Sequence, residues 1–92
     1  MARYRPLTEE IASPTTVGSA TTVSEATVVR VVNTSSSSPY VLTLVGESGS
    51  VMGSMTIVGQ EVVFIDKPKS WKLYAANSAV KFTSVSYPVW NL

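Results

Sequence analysis

The sequence predicts an all-β protein, a small antiparallel β-sandwich or barrel of six to seven strands with an extended N-terminal arm. Three observations lead there. Ser, Thr and Val contribute 14, 10 and 15 residues, 39 of the 92, and these types suit strands and the turns between them more than helices. From Glu25 onward the apolar residues come in short β-prone runs broken at close spacing by turn residues, the pattern of sandwiches and barrels. Before that point the chain is polar or small except at Leu7, Ile11, Val17 and Val23, and is interrupted by Pro6 and Pro14, so it cannot build a core of its own. Residues 1–24 are therefore read as the arm and residues 25–92 as the sandwich domain.

Taken in order, Thr8-Glu9-Glu10-Ile11 could start one helical turn with Thr8 as its cap, but Pro14 follows at once and the segment is too short for an isolated helix. The first strand run is Ala26 to Asn33, followed by a turn through Thr34 to Ser38. Pro39 opens the run Tyr40 to Val45, and Gly46 to Gly53 reads as a glycine-rich loop leading to Ser54 to Val58. Gly59-Gln60 has Gly first, as a type II′ hairpin demands, and joins that run to Glu61 to Asp66. Lys67-Pro68-Lys69 breaks the pattern, Trp71 to Ala75 resumes it, and Ala76-Asn77-Ser78 turns into a long run from Ala79 to Tyr87.

Period-two parity assigns faces. Tyr40, Leu42 and Leu44 share one face, and Met55 and Ile57 lie opposite Ser54 and Thr56. Glu61 to Asp66 is apolar on both faces, which predicts a central strand covered on both sides. In the last run Val80 and Phe82 share one face and Val85 and Tyr87 the other, so a bulge is expected at Thr83-Ser84. Arg30, set among Val28, Val29, Val31 and Val32, is open to two readings, an edge-protecting charge or half of an intersubunit ion pair.

Composition removes most catalytic chemistry. Cys and His are absent and Asp occurs once, which excludes disulfides, thiolate or imidazole metal sites, and Ser-His or Cys-His pairs. Glu61 and Asp66 stand five residues apart, roughly 16 Å along a strand, too far for a glycosidase pair. The acids match no calcium loop, and Gly46, Gly49 and Gly53 form no phosphate-binding motif. No residue is assigned a catalytic, cofactor-binding or metal-binding role. A net charge of +1 gives no global pull toward nucleic acid or anionic lipid. The longest uncharged stretch, Val31 to Gly46, is polar and too short for a membrane helix. The first ten residues lack a signal peptide's apolar stretch, an expectation of use without export.

What the composition favours is partners. Charged residues are 14% of the chain against roughly 25% in an average domain, and a single small domain without disulfides or metal usually leans on oligomerisation. Arg3-Tyr4-Arg5 and Tyr87-Pro88-Val89-Trp90-Asn91-Leu92 place Arg, Tyr and Trp, the residues of interface hot spots, near both ends; for Trp90 the alternative is a cap folded back on the sandwich. Thr15 to Val23 is suited to adding a strand to an exposed edge. The candidate partner-binding residues are Arg3, Tyr4, Arg5, Leu7, Val17, Val23, Trp90 and Leu92. Two other readings compete: a carbohydrate- or surface-binding module using Trp71, Tyr74 and Trp90, and a nucleic-acid-binding barrel using Lys67, Lys69, Lys72 and Lys81.

The succession V-V-R-V-V-N-T (28–34), Y-V-L-T-L (40–44), G-S-M-T-I-V-G-Q-E-V-V-F-I-D-K-P (53–68) and A-V-K-F-T-S-V-S-Y (79–87) resembles the small all-β virion proteins of tailed phages, especially marine and cyanobacterial ones. The resemblance covers about residues 26 to 87 and rests on pattern. It implies a non-enzymatic capsid decoration or cement subunit, or a neck or tail accessory protein, located in the virion after assembly in the host cytoplasm. Its implied partners are the major capsid protein, other virion subunits and further copies of itself, with the arm and Trp90-Asn91-Leu92 as contacts, and it implies no cofactor.

Overall fold

The Val-rich runs do form strands, because β-branched side chains pack well on a pleated surface. In a computed structural model, which describes residues 5–86, seven strands make two antiparallel sheets: β1 (Ile11–Ala12), β2 (Val28–Asn33), β3 (Tyr40–Val45), β4 (Val51–Ile57), β5 (Val62–Asp66), β6 (Lys72–Ala75) and β7 (Val80–Ser84). One sheet runs β1-β7-β2-β5 and the other β4-β3-β6. They stack as an open sandwich. The core between them holds Val29, Val31, Val80 and Phe82 from the first sheet and Leu42, Ile57, Leu73 and Ala75 from the second. The parity sets expected for β3, β4 and β7 lie on the inner faces, with Tyr40, Leu42 and Leu44 opposite Ile57, Met55 and Gly53.

Four local expectations are corrected. Gly59-Gln60 does not close a hairpin: β4 and β5 belong to different sheets, and the turn carries the chain from one to the other. The left-handed residue there is Gln60, at φ 65°. Gly59 is needed instead for close approach, since a Cβ on it would stand 2.9 Å from the Ser37 backbone nitrogen. The hairpin lies one loop earlier, where β3 and β4 pair across Gly46–Ser50, with Gly49 at φ 93° and a bulge beside Val45. Strand β4 thus begins inside the stretch read as loop.

Strand β5 is an edge strand, not a central one, and Val62 and Phe64 are exposed on its outer face. Its second apolar face covers the outside of the sheet, with Phe64 opposite Arg30. Arg30 guards no edge, because β2 is flanked by β7 and β5. Its guanidinium donates to Glu10 of the same chain at 3.5 Å. Finally, β7 pairs in continuous register through Thr83 and Ser84, with no bulge there.

The arm is the larger surprise. Its extended conformation brings its backbone against the chain's own sheets. The Leu7 amide donates to the Ser84 carbonyl (2.7 Å), Ile11–Ala12 pairs with β7, and the Ser13 amide donates to the Val80 carbonyl (2.8 Å). At Pro14 it crosses to the other sheet, accepting from the Ala75 amide, and Thr21 and Leu73 then exchange backbone hydrogen bonds of 3.0 and 2.8 Å. A left-handed turn through Val23, Ser24 and Glu25, with φ of 54°, 57° and 58°, returns the chain toward β2 and drops Val23 into the core. Thr21 and Thr22 hydroxyls hold that turn by accepting from the Val23 and Glu25 amides.

Candidate functional site

The site follows from which edges the arm covers. An unpaired strand edge offers a row of backbone donors and acceptors to any other strand, so folded proteins cover, shorten or charge their edges. On one side of this sandwich the arm lies along both β7 and β6. On the other side lie β4 and β5, joined by the short turn at Gly59-Gln60, and among the described residues β4 pairs only with β3 and β5 only with β2. That side is open in both layers.

Strand β4 has neither charge nor proline to guard its edge, and its one irregularity is the bulge at Met52. Val51 to Gln60 contains no charged residue and no proline, and of Val51–Ile57 only Ile57 is buried. Val51, Met52, Met55 and Val58 are exposed large apolar side chains. Behind β4 the two layers gape, leaving a groove of about 150 Å³ lined by Leu42, Leu44, Gly53, Ser54, Met55, Ile65 and Leu73. Gly53 is why the wall is low there: it faces inward between Leu44 and Met55 and carries no side chain, and a Cβ on it would meet nothing within 4 Å. A cavity of this size and lining suits one apolar side chain and is below the roughly 300 Å³ of ordinary small-molecule pockets.

The ends of the sandwich are polar and satisfied. Asn33 is fully buried at the end of β2; its Nδ2 donates to the carbonyls of Ser38 (2.8 Å) and Ile57 (3.0 Å), and its Oδ1 accepts from the Ser35 amide. It thereby ties the first sheet to β4 of the second. At the opposite end Lys67 is buried and its Nζ donates to the Ala26 carbonyl at 2.7 Å. Loss of water around that ammonium lowers its pKa from 10.5 to about 8.

The partner-binding candidates separate into three groups. Arg5, Leu7 and Val17 are exposed on the arm. Val23 is not available to a partner, since it is 2% exposed in the chain's own core. Within Thr15 to Val23, Thr21 bridges to Leu73 on the edge of the chain's own β6, while Val17–Ser19 forms a short 3-10 turn. Arg3, Tyr4, Trp90 and Leu92 lie outside the described residues, so the choice between interface and cap for Trp90 falls there too.

The lysine stretch does not form one surface. Lys67 is buried, Lys72 pairs with Val45 on the outside of one sheet, and Lys81 pairs with Val32 on the outside of the other. Among the described residues no group of three or more acidic side chains stands ready for a metal ion, and no helix is long and apolar enough to cross a membrane. The open β4 side was missed in the sequence because β4 was split between a glycine loop and an assumed hairpin. Its readable signal was the ten-residue uncharged run from Val51 to Gln60. No protein family, curated protein or solved structure matches this chain.

Proposed function

We infer that the chain is a non-enzymatic structural subunit of a tailed-phage virion, a capsid decoration or cement protein that binds the assembled shell. The observation that supports the assembly role is the uncharged, proline-free β4 edge beside an apolar groove, an edge to which another protein strand can add. The virion assignment is supported by the sequence pattern over residues 26–87. A subunit that binds only the assembled shell stabilises it by mass action, and many copies reinforce contacts that are individually weak. The exposed arm residues Arg5, Leu7 and Val17 are the shell-facing contacts. The test is co-sedimentation with shells assembled from a tailed-phage major capsid protein. Saturable attachment, weakened about tenfold or more by Leu7→Asp with Val17→Asp, supports the reading; failure to attach to empty or filled shells overturns it.

A further inference from the structure

We propose that the open side of the sandwich is closed by a second copy of this chain, pairing β4 to β4 antiparallel about a two-fold axis at Ser54. This rests on the reading of the β4 side as an assembly surface and names its occupant.

Three observations select a second copy. The first is self-complementarity. A two-fold contact brings the same patch against itself, so each protrusion must meet its own hollow. With Ser54 opposite Ser54 of the second copy, Met55 of each copy stands opposite Gly53 of the other. Directly opposed residues have Cβ positions about 5 Å apart. Met55, which is 43% exposed, then leans over the gap that the other copy's Gly53 leaves in its groove wall. Other registers that pair Met55 with Met55 or Gly53 with Gly53 give a clash and a hole.

The second is charge. A strand meeting its own copy meets every charge with the same sign, and β4 has none to repel. The third is area. Seven residues at about 3.4 Å each give a strip roughly 24 Å long, and the sandwich is 21 Å across its thinnest dimension. Closing this side covers roughly 500 Å² per copy and about 1,000 Å² in all, the lower bound for a specific interface. An axis perpendicular to the β4-β3-β6 sheet keeps both four-stranded sheets on the same side, so the two grooves open toward each other and their apolar linings merge.

The experiment is sedimentation velocity of the full chain from about 1 to about 500 μM, with two variants. Gly53→Met places its Cβ in free space and sets Met against Met, with circular dichroism confirming that the variant is folded; Met55→Gly leaves two hollows. Each alone weakens dimerisation at least tenfold. Mixed, they restore it, because one copy then supplies both protrusions and the other both hollows. A chain that stays monomeric over the whole range overturns the proposal, as does a dimer indifferent to both variants or one that mixing fails to restore. The measurement needs no shell, so a monomer that still attaches to shells refutes the dimer alone, and a dimer that never attaches refutes the virion reading alone.

Discussion

Replacing Asn33 with Ala removes the side chain that, among the described residues, bonds the end of β2 to β4, and the cost can be worked from its three hydrogen bonds. The Ile57 carbonyl is buried, and losing its donor leaves an unsatisfied acceptor, about 2 kcal/mol. The Ser38 carbonyl and Ser35 amide are only partly buried and regain water, so each loses about 0.5–1 kcal/mol. The void left at a fully buried position adds about 1 kcal/mol. The sum is about 4–5 kcal/mol, a large share of the 5–15 kcal/mol that holds a typical small domain together. Urea unfolding followed by far-UV circular dichroism measures it as a fall in midpoint at unchanged slope. Asn33→Asp serves as the isosteric control and is expected to cost at least as much, since it exchanges both donors for an acceptor aimed at two carbonyls. A loss below about 1 kcal/mol for Asn33→Ala would refute the claim that this residue ties the sheets together.

Lys67 gives the protein an unusual pH response. Its folded pKa of about 8 lies below the unfolded 10.5, so between those values the unfolded chain holds the extra proton and stability rises with pH. From about pH 7 to about pH 9.5 the gain is about 2 kcal/mol; Lys67→Met abolishes that rise, and urea midpoints at the two pH values decide it. Gly59→Ala forces the Ser35–Ser37 backbone to move and costs about 1–3 kcal/mol in thermal or urea unfolding. Deleting residues 1–24 uncovers β6 and β7 and removes Val23 from the core, so the remaining chain loses at least about 3 kcal/mol or fails to fold, read by loss of protected amides in hydrogen exchange. Arg30→Ala, by contrast, changes stability by less than about 1 kcal/mol, because its pair with Glu10 is long and solvated.

How much of the fold and site was legible depended on whether the signal was local. The inner faces of β3 and of Val80 and Phe82 in β7 were readable because alternation along one strand records burial directly. Strand β5 was not. A run apolar on both faces is the mark of a central strand, yet Val62 and Phe64 cover the outside of an edge, and only the pairing partners distinguish the two cases. Gly59 was noticed for the right reason in general, that glycine marks a constraint, and given the wrong cause. The constraint is the Ser35–Ser37 loop packed against it, more than twenty residues away in sequence. Lys67 and Asn33 carried no sequence signal of burial, because polar side chains enter a core only where the tertiary structure supplies their hydrogen-bond partners.

The residues alone determined that this chain is all-β, a sandwich or barrel of short antiparallel strands, and that it lacks the Cys and His on which much catalysis depends. Those are properties of composition and short-range periodicity. That the strands make an open sandwich, which sheet each joins, and hence which edges remain open, was decided by the tertiary structure. The arm illustrates the reason. Thr15 to Val23 is equally suited by sequence to any free edge, and within it Thr21 takes the edge of the chain's own β6, where pairing carries no cost of bringing two molecules together. With that side covered by the arm, the uncharged β4 edge is, among the described residues, left without a neighbouring strand on its outer side.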